Sequence, residues 1–158
     1  MSERIETYWQ EFLSTQSIEV RPTAYTAWSF GNTPDMADEL GELVRRGIKR
    51  ATTSLGWIYE KFPEENFPLA GEYSVILNSS REPLCIIRTS EVFARKYSEI
   101  DEAYARTEGE GDGSLAHWRR AHWEFFKGAC KLVGREPHED MPVICEIFEL
   151  VYPTNPSV

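Results

Sequence analysis

The chain has 158 residues and a mass of 18.2 kDa, of which 41% are hydrophobic, 13% aromatic and 27% charged; that supplies one buried core and leaves little length for a second. Seventeen Lys and Arg against 26 Asp and Glu give a formal net charge of −9, which argues against a protein that coats DNA, RNA or an anionic membrane through bulk positive charge. No run approaches the roughly 18 apolar residues of a membrane span, and Met1-Ser2-Glu3-Arg4-Ile5-Glu6 is charged where a signal peptide needs an apolar core. Cys85, Cys130 and Cys145 lie far apart in apolar runs without zinc-ligand spacing, which predicts buried free thiols in a cytoplasmic protein.

Ile5, Tyr8, Trp9, Phe12 and Leu13 recur at helical spacing behind a capping Ser2 and predict a first helix. The stretch holding Pro22, Trp28, Phe30 and Gly31 reads as irregular. Thr33-Pro34-Asp35 then opens a second helix with a capping hydroxyl, a first-turn proline and an acid at the positive dipole end. Met36, Leu40, Leu43 and Val44 form its apolar stripe, and Gly47 closes it. Alternation predicts a short strand over 48–53, and Leu55, Ile58, Tyr59 and Phe62 a third helix. Residues 72–78 and 84–89 read as two strands joined by a turn, with Val92-Phe93 extending the second. A helical stretch over 98–107 is broken by the glycines of Glu108-Gly109-Glu110-Gly111-Asp112-Gly113. Ser114 caps the longest helix, whose buried face carries Trp118, His122, Phe125, Phe126 and Val133 up to Gly134, and 143–152 is a final strand. Helices set among dispersed strands predict an α+β fold with a small mixed sheet or barrel. The expected organisation is a single domain over 1–158, with a helix and lead-in over 1–24 and a core over 25–152.

The charge is uneven. Residues 43–61 and 117–135 each carry five bases against one acid, while 91–112 carries seven acids against three bases. Either the basic stretches meet and hold a few phosphates, or each is the solvated face of its helix.

Gly47-x-Lys49-x-x-Thr52 is the most informative short stretch. On a regular strand Lys49 and Thr52 would point to opposite faces, so a shared site needs a bend between them. A lysine in a partly closed pocket loses hydration, which lowers its pKa and suits it to act as a base; a threonine beside it supplies a nucleophile or an oxyanion donor. The plainer reading is a helix-ending glycine, an exposed lysine and a strand threonine. The twelfth position from Glu108 is Arg119, which excludes an EF-hand. What remains for the acidic run is a flexible turn, a catalytic carboxylate, or a looser divalent-metal site with Glu110 and Asp112 as weak candidate ligands. Trp118 and His122, four apart, share a helix face, where His122 is a core histidine or a ligand contact. Trp28, Phe30, Tyr25 and Asn32 lie in the irregular segment, where aromatics either stack on a base or plug the end of a barrel.

In order and spacing these pieces resemble the ASCH family, whose fold belongs to the PUA-like β-barrels associated with RNA. The residues that carry the resemblance are Trp28-x-Phe30-Gly31, Ala37-Asp38-x-Leu40, Gly47-x-Lys49-x-x-Thr52, Gly71 before a strand, Glu108-Gly109-Glu110-Gly111-Asp112, and Ser114-Leu115-x-x-Trp118-Arg119-x-x-His122. It implies a PUA-like small mixed barrel flanked by helices, with a cleft where Lys49 and Thr52 face Glu108. Some ASCH proteins are amidohydrolases that deacetylate N4-acetylcytidine with this Lys/Thr/Glu set; others, nearer in length, resemble single-strand ribonucleases; others bind RNA without catalysis.

The expected catalytic residues are Lys49, Thr52 and Glu108, and the expected ligand contacts Trp28, Phe30, Asn32, Arg50, Thr53, Arg119 and His122. For amide cleavage, Lys49 would deprotonate Thr52 or water, and Glu108 would pass a proton to the leaving amine. For RNA cleavage, Lys49 with Arg50 or Arg119 would stabilise the phosphorane. The extra arginines and long basic helix put single-stranded RNA hydrolysis first, a modified nucleoside second and non-catalytic RNA binding third. The sequence requires no cofactor, and a divalent metal is compatible with the acidic run.

Overall fold

Residues 2–153 are described in a computed structural model whose centre is a five-stranded mixed sheet in the order β1-β3-β4-β5-β2. The strands are β1 (Thr26–Trp28), β2 (Ala51–Leu55), β3 (Tyr73–Leu77), β4 (Pro83–Lys96) and β5 (Pro142–Tyr152), and the helices α1 (Glu3–Ser14), α2 (Pro34–Arg45), α3 (Gly56–Lys61), α4 (Glu102–Glu108) and α5 (Leu115–Val133). Only β1 and β3 pair in parallel; the other three ladders are antiparallel. The sheet curls into a half-barrel, with β1 and β2 as its edges.

Caps fix where the helices begin. Ser2, Thr33, Asp101 and Ser114 each accept a backbone N–H three residues on, at 3.2, 3.1, 2.9 and 3.1 Å, and such a cap is worth about 1 kcal/mol. Ile5, Trp9 and Phe12 of α1 seal Val75, Leu77 and Ile86. Val44 of α2 joins Phe30, Ile76, Ile87 and Phe148. The third cluster packs Trp118 and Phe126 of α5 with Tyr104 of α4 against Leu55, Val143 and Cys145. All three cysteines are buried and unbridged. Among the described residues no helix is long and apolar enough to cross a membrane.

Four boundaries differ from those the sequence predicts. The segment read as irregular contains β1, whose three residues are too few to show alternation. β4 runs on to Lys96 because register shifts at 86/87 and 89/91 carry the pairing through bulges that break the period of two. Residues 97–99 form a 3₁₀ turn ahead of α4. β2 starts at Ala51, not at Ile48, and that last difference shapes the site.

Candidate functional site

Gly47, at φ +76°, lets the chain leave α2 abruptly, and the Lys49 N–H donates back to the Leu43 carbonyl at 3.1 Å. Lys49 therefore sits in the lead-in before β2, outside the alternation of the strand that carries Thr52. Its side chain is only 1% exposed. The ammonium donates to the Ala51 carbonyl at 2.7 Å, Glu108 Oε1 at 3.1 Å and Glu110 Oε2 at 2.7 Å, so each of its protons has an acceptor. The Phe30 ring lies 5.3 Å away.

Glu108, the last residue of α4, is as deeply buried. Its Oε2 accepts from Thr53 Oγ1 at 2.8 Å, from His122 Nε2 at 3.2 Å and from the Trp118 indole N–H. Burial pushes this carboxyl's pKa up, but Lys49, His122 and the hydrogen bonds outweigh it and hold the group well below the usual carboxylate range. Tyr104, one turn earlier on α4, donates to the Thr52 carbonyl at 2.9 Å and lies 3.0 Å from Thr53 Oγ1; burial pushes its phenol far up.

His122 Nδ1 lies 2.9 Å from the Trp118 carbonyl, while Nε2 faces Glu108. Both partners only accept, so both ring nitrogens must donate, and the ring is an imidazolium. Burial opposes that charge, and Glu108 outweighs burial to raise the pKa. The ring stacks on Trp118 at 4.1 Å and 15°, which favours the cation. Two cations, Lys49 and His122, thus balance Glu108 and Glu110. The expectation that enclosure would lower the lysine's pKa is reversed: desolvation does pull it down, but the two carboxylates raise it above its ordinary value.

A cavity of about 80 Å³ opens beside this cluster, with apolar lining from Phe30, Met36, Leu40 and Phe125 and polar lining from Lys49, Thr52, Glu110 and His122. Apolar walls with convergent polar groups suit a small-ligand site, and this volume, well under the roughly 300–1,000 Å³ of a whole-ligand pocket, holds one small group of a larger ligand. A wider groove of about 550 Å³ between α1 and residues 22–25 lies away from these groups, and its acid, Glu6, is already hydrogen-bonded to Tyr25 and Gln10.

Of the site residues expected from the sequence, Phe30, Lys49, Thr52, Thr53, Glu108 and His122 are brought to one place. Thr52 and Thr53 have different surroundings. Thr53 pairs with Cys145 and reaches Glu108; Thr52 pairs with Glu146 on the other face. Trp28 stands behind the site, edge-on to Phe30 at 4.6 Å. Asn32, Arg50 and Arg119 are exposed and outside the cavity lining. The two basic stretches touch where Arg135 bonds Glu60 and covers the Trp57 ring, and that contact involves no cavity residue.

Glu108, Glu110 and His122 present ligand atoms within 4.8 Å of one another; Asp112 is not among them and instead accepts from the Ser114 N–H at 2.9 Å. The donor set suits a metal poorly, because the Lys49 ammonium already bridges both carboxylates and His122 offers a proton rather than a lone pair. Tyr104 belongs to the site although the sequence pattern does not single it out, and the Trp118 indole joins it from the helix face that Trp118 shares with His122. The i, i+4 spacing of Tyr104 and Glu108 on one helix is the available signal for the first.

The ASCH domain matches residues 26–152 of the chain. The chain belongs to the ASCH domain family. The crystal structure of an ASCH domain from Lactobacillus crispatus JV V101 is 37% identical, covers 96% of each chain and superposes with a TM-score of 0.91. Protein EF3133 from Enterococcus faecalis V583 is 34% identical over 96% of this chain and 92% of that one, with a TM-score of 0.82. No curated protein matches the sequence. As an ASCH domain the chain has the family's mixed half-barrel, and the Lys49–Glu108 pair lies inside the matched region.

Proposed function

We propose that this ASCH protein binds one base of a nucleoside or of single-stranded RNA at the mouth of the Lys49 cavity and hydrolyses an amide on the exocyclic nitrogen of that base, the amide entering the cavity. The observation that carries this reading is the cavity's character. Half of its lining is apolar, and its two cations are already neutralised by two carboxylates. Such a site suits a flat heterocycle with a polar edge better than a phosphodiester. Single-stranded RNA cleavage, which the arginines favour at the level of sequence, would draw on Arg50 and Arg119, and both lie outside the lining. Buried free thiols fit a reducing compartment such as the cytoplasm.

The resting charges recast the roles. Glu108 is held anionic and orients Lys49, Thr53 and His122, so it is a poor proton donor. Lys49 is held cationic, so it serves as an electrophile rather than a base. Of its three acceptors Glu110 is the most exposed and lies between Gly109 and Gly111, both at positive φ. An incoming acyl oxygen displaces Glu110 and takes that N–H, which then stabilises the oxyanion. The Thr52 hydroxyl has no hydrogen-bond partner among the described residues and is placed to hold the attacking water.

The test incubates the protein with N4-acetylcytidine and, separately, with labelled single-stranded RNA, each with and without divalent metal. Free cytidine that disappears in Lys49→Ala supports the reading. RNA shortening lost in the same variant would replace it with a ribonuclease, and inertness toward both with measurable RNA binding would leave a binding module.

A further inference from the structure

Amide hydrolysis needs a group that accepts a proton from water and returns it to the leaving nitrogen. Within the cluster Glu108 accepts hydrogen bonds from four donors, every Lys49 proton is engaged, and Glu110 is bound to Lys49 until the acyl oxygen displaces it. One strand away stands a carboxyl of the opposite kind. Glu146 does not itself line the cavity, but in the antiparallel β2–β5 ladder it is the direct partner of Thr52, which does, and directly opposed side chains share a face with Cβ atoms about 4.5–5.5 Å apart. On its other side Glu146 pairs with Val92 of β4.

We propose that Glu146 is the proton carrier for the hydrolysis at Thr52, a role that rests on the reaction proposed above. Its Oε1 accepts one hydrogen bond, from Thr89 Oγ1 at 3.2 Å, and among the described residues no basic side chain is ion-paired with it. The charged and titratable groups around it are Glu72, the Tyr59 phenol and, across β2, Lys49. Burial and Glu72 raise its pKa; the Thr89 hydroxyl and Lys49 draw it back. Two carboxyls flanking one strand are thus driven in opposite directions, Glu108 toward permanent ionisation and Glu146 toward protonation. That division is the usual mark of acid–base assignments.

Water at Thr52 adds to the acyl carbon, forming a C–O bond while its proton passes to the Glu146 carboxylate and the Lys49 N–H holds the oxyanion. The tetrahedral intermediate then collapses and the C–N bond breaks. Glu146 returns the proton to the departing exocyclic nitrogen, leaving the free amine and the carboxylic acid.

The experiment measures N4-acetylcytidine hydrolysis against pH for wild type, Glu146→Gln and Thr89→Val. Glu146→Gln keeps the size of the side chain and its acceptor for Thr89. The expected result is a kcat lowered by roughly 10²–10⁴-fold, a KM within a few-fold of wild type, and loss of the acidic limb of the pH profile. Thr89→Val removes a contact that favours the ionised carboxyl, so its acidic limb moves to higher pH; should Glu146→Gln fail to fold by circular dichroism, this variant decides. An active wild type with an equally active Glu146→Gln, or an acidic limb unmoved by Thr89→Val, overturns the Glu146 role and leaves the hydrolysis standing. A wild type that releases no cytidine overturns the reaction, and this role with it.

Discussion

Lys49 Nζ lies 3.1 Å from Glu108 Oε1, with both side chains 1% exposed. Charges so placed lose most of their hydration, and the pair is tolerable only because every ammonium proton and both carboxylate oxygens have partners. Lys49→Met leaves Glu108 and Glu110 facing His122 alone, and Glu108→Gln leaves the cations in excess. Each single change is expected to cost about 3–5 kcal/mol in denaturant unfolding. The double variant should cost less than the sum of the singles by at least about 1 kcal/mol. Additive losses would show that the two groups are not coupled.

The same network sets the pH dependence of stability. Glu108's folded pKa lies below its ordinary 4.5, so its contribution is full above pH 4.5 and is lost as pH falls below it. His122's folded pKa lies above its ordinary 6.5, so its contribution is full below pH 6.5 and is lost as pH rises through the folded value. Tm should therefore peak between these limits. His122→Gln should remove the fall above pH 6.5 while keeping the acidic one; an unchanged alkaline limb would place that loss elsewhere.

Lys49 takes the place a metal would hold among Glu108, Glu110 and His122, whose ligand atoms lie within 4.8 Å of one another. Lys49→Ala removes the resident cation and lets His122 deprotonate onto an incoming ion. Calorimetric titration with Zn²⁺ should show a saturable site in Lys49→Ala that is at least ten times weaker in wild type. Equal affinity in the two proteins would mean that lysine and metal do not compete.

Much of this is legible in the sequence because it is local. Caps at Ser2, Thr33 and Ser114, the Gly47 turn, and the i, i+4 pair Trp118 and His122 all lie within one or two turns of chain. The burial of Lys49 is not legible, because it depends on residues 59 and 61 positions away. For the same reason the sequence points its pKa the wrong way: enclosure can be foreseen, but not the two carboxylates that accompany it. Thr52 and Thr53 are adjacent, and only the register of β2 against β5 shows which meets Glu108 and which meets Glu146. The bulges of β4 hide its length because they interrupt the alternation that identifies a strand.

Gly109 joins the helix that carries Glu108 to the loop that carries Glu110, and two constraints act on it. Its φ of +69° lies in the left-handed region, and a Cβ there would stand 2.3 Å from the Ile48 carbonyl oxygen. Gly134, at the end of α5, has a similar φ of +72°, and a Cβ there would meet nothing within 4 Å. The two positions separate conformational strain from collision. Gly134→Ala should cost about 1–2 kcal/mol, the left-handed penalty alone. Gly109→Ala carries that penalty plus the displacement of residues 48–49, so it should lower the denaturation midpoint further and also weaken nucleoside binding at the Lys49 cavity. Equal midpoint losses would mean that the Ile48 backbone yields without cost, and normal nucleoside affinity in Gly109→Ala would mean that Lys49 keeps its place when its neighbour moves.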